Sequence, residues 1–254
     1  MENRGTKEGD IEEINFVKKF NAGKFKSFTD YYYKDLDNIY CVHVTTDQYS
    51  NTSKQNVKPK SDAYLVRLKN IKSESLSNLS HYINEDNIHN FDYSVLPNSG
   101  ISIKLSDSNK YQIHKFTPLS FLAVFKNRYL GAGAMIYSKN EEDITDNTKV
   151  LEIWNLSLDD FLNYFTKLNG SLLKMDIESC KFIQKYCLNE IKNIINHDKS
   201  ISDLVFTGEG VFSSPYFAYY GFIKGELSVF KKTDFSITTG SGRLKSPTIV
   251  VKPK

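Results

Sequence analysis

Two short segments carry polar residues where an extended run is ordinarily apolar. In 59–66 (PKSDAYLV) Asp62 opens an apolar run, and in 101–105 (ISIKL) Lys104 lies inside one. A lysine in such a run is costly unless its ammonium reaches a cleft or an edge, because an unpaired charge is expensive to bury. Taken singly, an Asp at a strand start is also a common turn former, and a lysine at a sheet edge can simply be solvated. Brought together on neighbouring strands, the two residues can bind a divalent metal and hold a water against a phosphate. Phosphodiester hydrolysis needs those parts: a cation to neutralise the phosphate, a nucleophilic water, and a group that orients or deprotonates it.

The elements that would carry these residues follow from periodicity. Segment 10–21 (DIEEINFVKKFN) gathers Ile11, Ile14, Phe16, Val17 and Phe20 on one side, which predicts an amphipathic helix with Asp10 as its N-cap. The alternating, β-branched 39–45 (IYCVHVT) predicts a strand, and 63–68 and 100–105 predict two more. The polar, weakly periodic 69–97 between the last two reads as a helical insertion with loops, tolerable because loop-closure cost grows slowly with length. After a turn at 106–109, segment 114–125 has helical spacing and 139–149 reads as an acidic surface loop. Two further helices are expected: 156–168, opened by Ser157, and 171–197, the longest. From Leu204 onward short apolar runs (LVF, ELSVF, FSITT, TIVV) separated by glycines predict strands and turns. Their aromatic cluster, Phe212, Tyr216, Phe217, Tyr219 and Tyr220, is read as core. The sum is an α/β (α+β) chain with a central mixed β-sheet flanked by helices.

At 254 residues, 40% of them hydrophobic, the chain is long enough to bury one sizeable core. Its net charge of +3 does not announce a nucleic-acid partner, so that argument rests on distribution. After Asp234 no acid follows, whereas Arg243, Lys245, Lys252 and Lys254 do. Cys41, Cys180 and Cys187 form no CxxC and the histidines fall in no ligand spacing, which argues against zinc. Cys180 and Cys187 fit buried helix positions in a reducing compartment. No apolar run approaches the ~20 residues of a membrane span. The charged N-terminus lacks the apolar core of a secretion signal. The expectation is a cytoplasmic chain without a membrane partner.

Pro59-Lys60-Ser61-Asp62, Ser102-Ile103-Lys104, the following 106–115 (SDSNKYQIHK) and the leading Glu13, Phe16 and Val17 together resemble a known family. They are similar to the type II restriction endonucleases of the PD-(D/E)xK superfamily, particularly small enzymes that cut four-base sites. Weaker echoes occur at 207–212 (TGEGVF) and 246–251 (SPTIVV), and the motif-level weight falls at roughly 55–116. The resemblance implies a single restriction-endonuclease-like domain over 1–254. Its nuclease core would occupy about 10–130, with 150–254 contributing DNA contacts. It implies a Mg²⁺-dependent, sequence-specific endonuclease that cuts double-stranded DNA and leaves 5′-phosphates. Asp62 would ligate Mg²⁺ with the backbone carbonyl of Ile103. Lys104 would contact the scissile phosphate and act on the attacking water, and Ser102 and Glu13 would complete the outer coordination sphere. The sequence departs from the pattern in two places: the family's second acid is Ser102 here, and Asp62 and Lys104 stand 42 residues apart (104 − 62), long for two adjacent strands, so that 69–97 must be an insertion. Either Ser102 holds a metal-bound water, or Glu13 or Glu12 substitutes, or the domain is catalytically silent.

DNA contacts would come from Gln112 and Lys115 at the flanking phosphates and from the loop 48–60 (QYSNTSKQNVKPK), with Lys58 and Lys60 beside the cut. The turn 240–245 (GSGRLK) would add Arg243 and Lys245. The chain would act as a monomer or homodimer, with a cognate methyltransferase encoded nearby. Two alternatives stay open: a non-catalytic DNA-binding protein on a nuclease fold, and a structure-selective repair or junction nuclease.

Overall fold

Both faces of the strand that follows Asp62 are apolar, and that property organises the first part of the molecule. The structure is a computed structural model and describes residues 4–69, 73–104, 111–240 and 244–254. The chain forms two compact units, Met1–Tyr111 with Phe206–Lys232, and Gln112–Val205 with Thr233–Lys254. In chain order the first unit contains α1 (Arg4–Asn21), α2 (Lys26–Tyr32), β1 (Ile39–His43) and a small hairpin of β2 (Gln48–Tyr49) and β3 (Asn56–Val57). It continues with β4 (Ala63–Leu68), α3 (Ser73–Asn78), β5 (Tyr93–Val95) and β6 (Ile101–Ile103). The second unit opens with β7 (His114–Phe116) and the helices α4 (Pro118–Phe125), α5 (Arg128–Met135), α6 (Glu141–Ile144) and α7 (Asn147–Ile153). Then come α8 (Leu158–Asn169), α9 (Ile177–His197) and α10 (Lys199–Phe206), which ends at the boundary between the units. The chain returns to the first unit with β8 (Tyr220–Ile223) and β9 (Glu226–Val229), and closes in the second with β10 (Phe235–Thr239) and β11 (Ile249–Pro253).

The first unit's sheet has the order β1-β4-β6-β8-β9, with β5 added alongside β4. It is mixed: β1, β4 and β6 run antiparallel in succession, whereas β6 and β8 pair in parallel, Ser102 opposite Gly221. A parallel pair needs a long crossover, and here the whole segment 112–205 lies between the two strands in sequence. Along β4, Ala63 and Leu65 enter one apolar cluster and Tyr64, Val66 and Leu68 the other. Helix α1 covers the first face through Phe16, Val17 and Phe20, with the Phe16 and Phe222 rings 4.7 Å apart. The C-terminal end of α1 is tied to the sheet by Asn21. Its Oδ1 accepts from Cys41 N at 2.7 Å and its Nδ2 donates to Cys41 O at 3.0 Å, so one side chain occupies both edge groups of that residue. This anchor fixes how α1 lies on the sheet.

In the second unit β10, β11 and β7 form a three-stranded antiparallel sheet, and α5 packs closely against α9. A methyl group on Gly131 would overlap the Trp154 ring, and one on Gly133 would overlap Cys187 Sγ. Gly131→Ala gains about 1 kcal/mol of helix propensity, yet overpacking against a rigid indole costs about 1–3 kcal/mol. The expected result is a lower midpoint in urea unfolding; a raised midpoint would show that Trp154 can move aside.

The mixed α/β architecture and the flanking helices are as expected, and several boundaries are not. Helix α1 begins at Arg4, so Asp10 is interior and not a cap; its first turns lack an apolar face and give no periodic signal. The expected helix over 114–125 is a strand followed by α4. Pro118 cannot donate inside a helix and therefore starts one, with Thr117 Oγ1 capping Ser120 N. The acidic 139–149 is not a loop: Glu141, Glu142 and Asp143 form the first turn of α6, where the helix dipole favours them, and α7 starts at Asn147. Residues 204–206 end α10 and do not form a strand, an ambiguity inherent in three-residue apolar runs. Helix α9 starts at Ile177, not at 171, because Asp176 accepts from Ser179 N and caps it there. Ser157 does cap α8, accepting from Asp160 N, and Cys180 and Cys187 are buried on α9. Of the aromatic cluster, Phe212 and Tyr220 are core, whereas Tyr219 is exposed. No helix among the described residues is long and apolar enough to cross a membrane.

Candidate active site

Asp62 lies immediately before β4 and its backbone is held on both sides. Its N–H donates to Ile101 O at 2.8 Å, and its carbonyl accepts from Val44 N at 3.0 Å. With Ala63 paired to Ile101, the carboxylate reaches the end of β6. There Asp62 Oδ2 accepts from Ile103 N at 2.6 Å and from Ser102 Oγ at 3.3 Å, and lies 3.5 Å from Lys104 Nζ. Three donors from consecutive residues therefore converge on one oxygen. Within an extended strand the N–H and C=O of one residue point to the same side, so the Ile103 carbonyl faces the Asp62 side as well. Lys104 N donates to Phe222 O at 2.9 Å, which carries the parallel pairing one residue past β6 and fixes where the lysine leaves the sheet. The Asp62 and Lys104 side chains are 21% and 23% exposed, open to a ligand on one side. The pair is mostly shielded from water but keeps one open side, which leaves both charges accessible to a ligand.

A second polar chain adjoins the first. Glu13, on α1, has Oε2 3.1 Å from His43 Nε2, and His43 Nδ1 lies 2.7 Å from the Tyr82 hydroxyl. Burial pushes the Glu13 carboxyl above its ordinary pKa, and the Asp62 charge adds to this; the His43 hydrogen bond and the Lys104 charge oppose it. Glu13 is thus close enough to feel both members of the Asp62–Lys104 pair. Lys60 also belongs to this neighbourhood. It keeps some exposed area, but desolvation of its ammonium, with repulsion from Lys104, brings its pKa down to about 7 against the pull of Asp62. Gly208 (φ +75°) packs on its stem, so closely that a Cβ there would meet Lys60 Cγ at 2.6 Å. A further buried acid, Glu85, is structural. Its Oε2 accepts from Thr45 N and Thr46 N, and its Oε1 from the Tyr216 hydroxyl, closing the turn after β1.

The expected site residues therefore divide. Asp62, Ser102, Ile103 and Lys104 come together, Glu13 and Lys60 adjoin them, and Lys58 is exposed on the approach to β4. Gln112, Lys115 and Lys245 belong to the second unit and are exposed; Lys115 lies in β7 opposite Val250 and not at a helix start. Arg243 lies outside the described residues. His43 and Tyr82 were not anticipated. A signal for His43 was present: alternation in IYCVHVT puts Ile39, Cys41 and His43 on one face, the α1-facing one, so an imidazole there breaks an apolar pattern much as Lys104 does. Tyr82, in a polar loop, carried none.

Among the described residues no three His, Cys, Asp or Glu side chains gather into a ready-made metal cage. The candidate donors here, the Asp62 carboxylate, the Ile103 carbonyl that the strand turns to the same side, and the Glu13 carboxylate that feels the Asp62 charge, are all oxygens. Such a set suits Mg²⁺, which binds through one or two carboxylates and keeps waters or substrate phosphates for the rest; it does not suit a closed tetrahedral zinc site.

No protein-family model, no curated protein and no solved structure matches the chain. What the fold defines is a class: a mixed α/β protein whose mixed sheet is flanked by helices.

Proposed function

We propose that the chain is a Mg²⁺-dependent endonuclease of double-stranded DNA, of the type II restriction kind, and that its first unit is a restriction-endonuclease-like core. The observation that carries this reading is the convergence of Asp62 and Lys104, far apart in sequence, to 3.5 Å at the ends of two adjacent strands. Glu13 on the leading helix supports it by supplying a second carboxylate in the same neighbourhood, where the family's usual second acid is replaced by Ser102. Mg²⁺ bound at Asp62 and Glu13 would neutralise phosphate charge and make bound water more acidic. The protein's own groups divide the remaining work. Lys104 holds the scissile phosphate and orients the attacking water, Ser102 and the Ile103 N–H fix the Asp62 carboxylate, and Lys60, its pKa lowered to about 7, adds a hydrogen-bond donor near the cut. The β2–β3 hairpin, which runs directly into Asp62, exposes Asn51, Lys54, Gln55 and Asn56; a two-stranded ribbon of this composition suits the major groove. A cognate methyltransferase would accompany such an enzyme.

One observation favours a second reading. Ser102 is buried and neutral at the acid's position, which would suit a DNA-binding protein that does not cut. Incubating the purified protein with plasmid and phage DNA, in Mg²⁺ or in EDTA, separates the two. Discrete fragments that vanish in EDTA are expected. Intact DNA in Mg²⁺, together with a retained gel shift, would replace the endonuclease by the binding protein.

A further inference from the structure

Among the described residues the Glu13 carboxylate is held at one oxygen, Oε2, by a partner whose own position is fixed from three directions. His43 closes β1, where its N–H donates to Ile83 O at 2.9 Å and its carbonyl accepts from Glu85 N at 3.2 Å. The Tyr82 hydroxyl, 2.7 Å from Nδ1, then sets the rotation of the imidazole, and Nε2 meets Glu13 Oε2 at 3.1 Å. The imidazole is 10% exposed and the Glu13 side chain 22%, so the clamp is largely buried while Glu13 keeps some access to solvent. A free glutamate side chain has about 1.5–2 kcal/mol of rotamer freedom to lose. A carboxylate already fixed at Oε2 has given up that freedom before any ligand arrives.

We infer that His43, backed by Tyr82, is a positioning residue that holds Glu13 as a metal-facing carboxylate beside Asp62; the inference rests on the endonuclease reading. The clamp places Glu13 beside the strand position next to Asp62, because His43 pairs with Ala63, and that face of α1 is already secured by Phe16, Val17 and Asn21. Hydrogen-bond partners behind a metal-bound carboxylate or imidazole typically govern metal affinity by about 10–100-fold. Tyr82, on the far side of the ring, acts one step further back and so has the smaller effect.

The test uses the full chain and two readouts, Mn²⁺ binding without DNA, followed by electron paramagnetic resonance, and the Mg²⁺ concentration that half-saturates cleavage. His43→Ala is expected to weaken Mn²⁺ binding and to raise the Mg²⁺ requirement by about 10–100-fold, while saturating Mg²⁺ restores most of the rate. His43→Gln, whose amide can still donate, should recover much of the affinity, and Tyr82→Phe should lose only several-fold. Thermal unfolding establishes that each variant is folded. Native Mn²⁺ affinity in folded His43→Ala, or in Tyr82→Phe should the alanine variant not fold, overturns the inference alone. A native protein that neither binds Mn²⁺ nor cuts DNA removes the endonuclease reading and this inference with it.

Discussion

On the proposed endonuclease reading, Lys104→Ala is expected to lower the single-turnover cleavage rate by about 100- to 1000-fold, the usual cost of removing one preorganised donor from a site of developing charge, and to leave DNA binding within a few-fold. The two effects separate for a physical reason. Affinity for duplex DNA is spread over many phosphate contacts, each contributing a small share, whereas in the proposed reaction the scissile phosphate would meet Lys104 directly. Stability should fall only modestly, because the Asp62 carboxylate keeps its hydrogen bonds from Ile103 N and Ser102 Oγ when the lysine is removed. The measurement is a cleavage time course beside a gel shift in EDTA. A mutant that cuts at the native rate would remove Lys104 from the chemistry and leave the strand-end lysine as a solvated edge residue.

Asp62→Asn has the larger effect, and comparison with Asp62→Ala reveals why. The amide oxygen of Asn still accepts a hydrogen bond from Ile103 N, so the local fold is expected to persist with little loss of stability. The negative charge is gone, so Mn²⁺ binding and cleavage are both expected to disappear into background, a loss beyond the about 1000-fold of a single donor. Asp62→Ala removes the acceptor as well. It leaves Ile103 N–H and Ser102 Oγ without their shared partner, at a cost of about 1–3 kcal/mol for a buried donor, read as a lower urea midpoint. Loss of the Asp62 charge also acts on its neighbours: it removes a repulsion that raises Glu13 and an attraction that supports the Lys60 ammonium. Activity retained in Asp62→Asn would show that the carboxylate only braces the end of β6.

The legible parts of this site share one property, a polar residue interrupting a short apolar pattern. Asp62 and Lys104 stood out that way, and strands β1, β4 and β6 were recognisable around them from alternation and β-branching. Ser157 marked a helix start correctly because its cap is local, within four residues of chain. Where local rules competed, reading failed. Phe116 belongs equally well to a helical spacing and to a strand, and its pairing with Ile249, contributed from the far end of the chain, decided for the strand. Helix α5 escaped notice because Gly131 and Gly133 are poor helix formers, kept there by the Trp154 ring and Cys187 that occupy the space beside them.

By itself the sequence determined that a carboxylate opens one strand, that a lysine interrupts the next apolar run and that an amphipathic helix precedes them; the structure ends β6 at Ile103, so the lysine lies just beyond it. All three readings depend on spacing along the chain. Tertiary structure decided which groups meet. The pairing of Ala63 with Ile101 is one register among several, and a slip by one residue would turn every side chain of β6 to the opposite face. That register alone brings Ser102, Ile103 and Lys104 to Asp62. Likewise Glu12 and Glu13 are adjacent acids on one helix, and the chain offers no ground for choosing between them. The choice falls to Glu13 because Asn21 and the Phe16–Val17–Phe20 face fix how α1 lies on the sheet, and in that orientation Glu13 meets an imidazole held by Tyr82, about seventy residues further along the chain.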